Sequence, residues 1–204
     1  MYSRRHNLIL GFHGCDESIR DKIVKGEIKQ FGSKNDYDWL GHGMYFWENN
    51  YTRALEYAKL ILKNPKRSKY KIEKPSVLGA IIDLGNCLDL LDSSFLKIVK
   101  EAYNLLEKSS KIANFELPIN IPIENEKDIL IRKLDCAVIE TLHKYYIEEK
   151  NELFDSVRSV FLEGECLYEN AGFKEMNHIQ ICIRNPNCIK GYFLPRERIE
   201  NWDN

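Results

Sequence analysis

The chain has 204 residues, with 30 Lys and Arg against 31 Asp and Glu for a formal charge of -1; 44% of it is hydrophobic and 11% aromatic. That much apolar material fills one sizeable core and excludes an intrinsically disordered chain. The near-zero charge also excludes a global basic field able to hold long stretches of DNA or RNA, and leaves only local patches for that purpose.

In chain order, residues 7–14 (NLILGFHG) form a short apolar run ending in a small residue, which predicts a buried strand that stops at a loop. Asp16 then predicts a helix cap, with Ile19, Ile23 and Val24 inward and Gly26 as the stop. Residues 31–43 (FGSKNDYDWLGHG) are rich in Gly, Asn, Asp and aromatics and follow neither period, the pattern of a functional loop. The run Met44-Tyr45-Phe46-Trp47 leaves it as a strand, and Asn50 to Asn64 follows as a helix, with Pro65 just beyond its end. Lys63, Lys66, Arg67, Lys69, Lys71 and Lys74 then make a basic stretch, read as a solvated linker, with phosphate contact as the sharper alternative. Residues 76–84 are almost continuously apolar and predict an interior strand.

Ser93 or Ser94 is expected to open a helix with Phe95, Leu96, Ile98, Val99, Ala102, Leu105 and Leu106 inward. A longer helix is expected from about Lys127 to Glu149. No flexible Gly/Ser linker sets the pair apart, so they are expected as a helical insertion at about 93–150 within one domain spanning 1–204. Residues 157–162 and 178–184 alternate as strands. In the second, Ile179, Ile181 and Ile183 share one face and His178, Gln180, Cys182 and Arg184 the other. The run 188–194 is expected to be its partner strand, followed by a terminal helix from Pro195 to Trp202.

The six cysteines are scattered and form no C-x-x-C pair, which predicts buried thiols in a reducing cytoplasm. Cys182 and Cys188 lack the second Cys/His pair that a zinc site needs, so no metal is expected. No apolar run approaches the roughly 18 to 20 residues of a membrane span, and residues 1–6 precede no long apolar stretch. A soluble, unprocessed, cytoplasmic protein with no membrane partner is therefore expected.

Three separated segments place polar groups among apolar ones: His13-Gly14 at a strand end, Gly41-His42-Gly43-Met44-Tyr45-Phe46-Trp47, and the His178/Gln180 face. Singly, each has an ordinary reading as a hydrogen-bonded histidine, core aromatics or an exposed sheet face. Together they resemble the signature segments of the ADP-ribosyltransferase superfamily, in its branch similar to diphtheria toxin and the poly(ADP-ribose) polymerases. That branch has a His-Gly ending its first core strand, a G-x-G-x-Y-F strand entry, a second Tyr on the next helix, here Tyr57, and a Glu on a late strand. The likeness covers the first sixty residues and about the last thirty.

The resemblance implies an α+β fold with a split, mainly antiparallel β-sheet, and transfer of one ADP-ribose from NAD. It further implies that the backbone of Gly14 pairs with the nicotinamide carboxamide and that His13 bonds the adenosine ribose. Tyr45 and Tyr57 would sandwich the nicotinamide ring, and Ser33 and Asn35 would contact the ribose or carboxamide. The late strand departs from the pattern, placing Gln180 where the family has Glu and His178 two residues earlier. Gln180 can hydrogen-bond a ribose hydroxyl but gives no negative charge to an oxocarbenium-like state, which argues against polymer formation. Glu163 and Glu165 are the nearest acids by sequence. The implied partners are NAD, a protein or nucleic-acid acceptor and, for a bacterial toxin or defence effector, an antitoxin. NAD hydrolysis, non-catalytic binding of NAD or ADP-ribose, and a Cys-His hydrolase built on Cys15 or Cys182 remain as alternatives.

Overall fold

The computed structural model describes residues 8–122 and 128–196. The described chain runs β1 (Ile9–Asp16), α1 (Glu17–Val24), β2 (Met44–Glu48), α2 (Tyr51–Lys63), β3 (Pro75–Ile82), β4 (Cys87–Asp89) and α3 (Ser93–Ala113). It continues through β5 (Asn120–Ile121), β6 (Ile131–Arg132), α4 (Lys133–Glu148), β7 (Ser156–Phe161), β8 (His178–Ile183) and β9 (Ile189–Phe193). Seven strands make one sheet in the order β4-β7-β8-β2-β1-β3-β9, antiparallel at every junction except β4 with β7. The fold is α+β, as expected.

Local chemistry sets the element ends. One carboxylate oxygen of Asp16 accepts from the Ser18 N–H as the α1 cap, while the other accepts from the Glu73 and Lys74 N–H groups. A single side chain thus starts α1 and ties the end of β1 to the start of β3, and these bonds hold its carboxyl well below the usual carboxylate range. Gly26 takes φ +74° after α1, the left-handed turn that stops it. Asn50 caps α2 through the Arg53 N–H.

The sheet is covered on both faces. Met44, Phe46, Ala80, Ile82, Ile181 and Ile183 form one cluster, and Leu88, Val157 and Cys182 pack under Ala102 of α3 and Val138, Ile139 and Leu142 of α4 on the other. One charged group crosses this interior: Arg158 on β7, 3% exposed, binds Glu48 of β2 and Asp89 of β4.

Several expectations are corrected. The first long helix begins at Ser93 as expected, and its cap is the preceding Asp92, which accepts from the Ser94 N–H at 2.8 Å. The second long helix starts at Lys133, because Ile131–Arg132 pair instead with Asn120–Ile121, and the Asn120 side chain caps α4 through the Leu134 and Asp135 N–H groups. The Lys127 start lies outside the described residues. The run 188–194 contributes β9, which pairs with β3 rather than with β8, across the sheet from its sequence neighbour. Five cysteines are buried, but Cys166 is exposed. Most of the expected terminal helix, from residue 197 onward, lies outside the described residues.

Candidate functional site

The sheet opens between β1 and β2. β1 pairs with β3 along its whole length, but with β2 only at Gly11↔Glu48 and Phe12↔Trp47. Continued in that register, His13 would face Phe46 and, two steps on, Gly14 would face Tyr45; the pairing stops short of both. The Tyr45 carbonyl instead accepts from Nδ1–H of His13 at 2.8 Å, so the imidazole bridges the point where the strands part. That bond leaves Nε2 as the lone-pair nitrogen. Burial holds the His13 ring below the usual histidine pKa, against the raising effect of the Tyr45 carbonyl.

Strand alternation then fixes what Gly14 offers the gap. The Leu10 carbonyl faces β2, where it accepts from the Asn49 N–H, and the Glu17 N–H faces β3, where it donates to the Lys74 carbonyl. Backbone groups change side at each residue, so the N–H and C=O of Gly14 turn toward β2 at the level where β2 has left. A side chain is excluded here, because a Cβ on Gly14 would lie 2.1 Å from the Ala54 carbonyl oxygen of α2.

Paired residues share a face, which puts Phe12, Gly14, Tyr45, Trp47, His178, Gln180 and Cys182 on the α2 side of the sheet. Aromatic rings and buried polar nitrogens meet there. Trp47 lies 5.1 Å from Tyr57 and 6.1 Å from His178, and His178 stacks on Phe161 at 5.3 Å. Nδ1–H of His178 donates to the Met176 carbonyl at 2.6 Å, leaving Nε2 as an acceptor. That ring is 5% exposed and desolvation pulls its pKa down to about 4, so it stays neutral at physiological pH. Nε2 of His178, Nε1 of Trp47 and Nε of Arg53 are buried without a hydrogen-bond partner. Orphaned buried nitrogens are costly and uncommon. Arg53 is otherwise used, binding Glu163 at 2.7 Å with both groups largely buried.

The remaining expected residues are distributed around this layer. The Gln180 carbonyl accepts from Nε1–H of Trp39 at 2.7 Å. The Tyr45 hydroxyl donates to the Gly41 carbonyl at 2.8 Å and accepts from the Leu40 N–H at 3.0 Å, so it locks the loop, and burial holds its pKa well above the usual tyrosine value. Tyr57 is likewise raised, by burial first and then by the charges of nearby groups including Asp38 and Glu163. Ser33 pairs through its backbone with Gly43, and the Ser33 hydroxyl accepts from the Asn35 amide at 2.8 Å. Ser33 lines a separate hollow with His42, Met44 and Arg184, at the β2 start and beyond the β8 end. Gly14, Tyr57, Gln180 and His178 thus belong to one side of the sheet, the His13 ring projects to the other beside Phe46 and reaches the Tyr45 carbonyl at the gap, and Ser33 and Asn35 stand in the preceding loop. Glu165 is exposed on the turn beyond Glu163.

Sequence reasoning gave no role to Trp39, Trp47 or Arg53, although Trp47 closes one of its candidate segments. Trp47 was accessible to it, since a strand that turns Tyr45 to one face turns Trp47 there too. Arg53 sits one helical turn before Tyr57, the spacing that puts both on one side of α2. The bond from Trp39 to Gln180 carried no local signal, because it joins residues 141 apart. The thiol of Cys15 is pushed up to about 11 and that of Cys182 higher still, both by burial. Such thiols stay protonated near neutral pH, which weighs against a cysteine nucleophile. Among the described residues no cluster of His, Cys, Asp or Glu could hold a metal, and no helix is long and apolar enough to cross a membrane.

No family model matches the chain, and no solved structure matches it. It is similar to the uncharacterized protein MJ0359 of Methanocaldococcus jannaschii, 26% identical over 195 residues that cover 88% of this chain and 83% of that protein.

Proposed function

We propose that the protein binds NAD in the gap between β1 and β2, breaks the bond between nicotinamide and ribose, and transfers one ADP-ribose to a protein or nucleic-acid acceptor. The observation that carries this reading is the missing Gly14↔Tyr45 pair. A strand edge whose N–H and C=O point into a gap presents one donor and one acceptor side by side, the complement of a carboxamide. Tyr57 and Trp47 supply aromatic faces beside it, and Nε2 of His13 is the acceptor at the parting point for a ribose hydroxyl.

Cleavage builds positive charge on the ribose, which a nearby carboxylate would stabilise. Of the carboxylates near this face, Glu163 is neutralised by Arg53, and Asp38 accepts from the backbone and side-chain amides of Asn35. The neutral acceptor His178 therefore orients a hydroxyl without adding charge, while the Gln180 carbonyl is taken by Trp39, and slow turnover limited to single transfers is expected. The same observation supports a second reading, in which the site binds NAD or ADP-ribose without cleaving it. Calorimetric titration with NAD tests what the two readings share. Wild type should bind, with His13→Ala and Tyr57→Ala weakening affinity at least tenfold; equal affinity in both variants would remove the gap as the site.

A further inference from the structure

Residues 59–74 carry seven cations, Lys59, Lys63, Lys66, Arg67, Lys69, Lys71 and Lys74, against the single carboxylate Glu73. This segment has a charge of +6, so the rest of a chain whose total is -1 carries -7. All seven cations are exposed. Lys71 and Lys74 are partly offset by Glu73 and Glu17, but Lys59, Lys63 and Lys66 make no ion pair among the described residues. Lys59 and Lys63 lie one turn apart on α2, where like charges repel and destabilise the helix.

This ridge is anchored and oriented. Ile72 is buried against Ala58 and Ile61 of α2, so the connection to β3 is held on the helix that carries Tyr57. Nζ of Lys69 donates to the Asn35 side chain at 2.7 Å, joining the ridge to the loop that flanks the candidate site. Between Lys69 and Lys71, Tyr70 is 76% exposed. An exposed ring among lysines is the combination on which unpaired bases stack while cations follow the phosphates.

We propose that this ridge, from the second half of α2 to the start of β3, binds single-stranded nucleic acid. Resting on the transferase reading, the ridge also selects nucleic acid as the acceptor class and delivers it beside the gap. Segregated charge explains how a protein of net charge -1 can attract a polyanion, because the +6 segment acts within a Debye length, about 8 Å at physiological salt.

Fluorescence anisotropy with a labelled single-stranded RNA, the same sequence as a duplex, and phosphatidylserine vesicles tests the binding. The single strand should bind best, with affinity falling steeply as salt rises. The triple variant Lys59→Glu, Lys63→Glu, Lys66→Glu should bind it at least tenfold more weakly, with a log–log salt slope shallower by about 2, as expected for the loss of about three phosphate contacts. Tyr70→Ala should lose about tenfold on the single strand and little on the duplex. Equal binding by wild type and triple variant overturns the proposal, as does preference for vesicles over RNA. Nicotinamide release from NAD without any acceptor is measured alongside, so that failure of the ridge and failure of the transferase reading are separated.

Discussion

At the scale of single residues, the transferase reading rests on His178 rather than on Gln180, the position that the family resemblance singled out. The Gln180 carbonyl is held by Trp39, whereas Nε2 of His178 is a lone-pair nitrogen without a partner beside Trp47. Activity should therefore follow His178. His178→Ala is expected to lower nicotinamide release at least tenfold, and His178→Glu, which restores a carboxylate near the developing charge, to raise it above wild type. Gln180→Ala should change it less than threefold. Initial rates of nicotinamide release for the three variants check this, and a larger loss in Gln180→Ala than in His178→Ala would reverse the assignment. Gly14→Ala tests packing rather than chemistry: a Cβ 2.1 Å from the Ala54 carbonyl must push α2 away, costing on the order of 3 kcal/mol in denaturant unfolding.

At the scale of elements, three strands are cross-linked by the guanidinium of Arg158, which meets Glu48 of β2 and Asp89 of β4. Arg158→Met takes the guanidinium away from two largely buried carboxylates and should cost about 3–5 kcal/mol, measured by urea unfolding. Adding Glu48→Gln and Asp89→Asn should recover much of that loss. These contacts show where sequence reading succeeds and where it ends. The spans of β1, α2, β7 and β8 were legible to within about two residues, because alternation, helical period and the cap at Asp16 are local signals. The pairing of β9 with β3, the true start of α4 and the bond from Trp39 to Gln180 depend on contacts between distant parts of the chain, for which no short motif exists. Of the candidate site, His13, Gly14, Tyr57 and His178 could be nominated from sequence. The locking of the Tyr45 hydroxyl onto the loop backbone could not.

At the scale of the whole molecule, buried neutral histidines make stability depend on pH. His178 and His143 are both drawn down to about 4 by desolvation, while in the unfolded chain they titrate near 6.5. Between those values the unfolded state binds more protons, so stability is full above about pH 6.5 and falls as pH drops toward 4. The loss should be on the order of 2 kcal/mol per ring, seen as a declining urea midpoint from pH 7 to 4.5. His143→Gln and His178→Gln should each flatten that decline. The opening charge balance also takes a different meaning at this scale: a total of -1 conceals a +6 segment on the connection from α2 to β3.

Release of nicotinamide from NAD is the measurement that bears most directly on the central claim. Purified protein is incubated with adenylate-labelled NAD and a cell lysate, and free nicotinamide and acid-precipitable label are followed together. The account predicts nicotinamide release with matching transfer of label to macromolecules, both lost in His13→Ala and Tyr57→Ala. No nicotinamide release from wild type, with NAD affinity unchanged in those two variants, would contradict it.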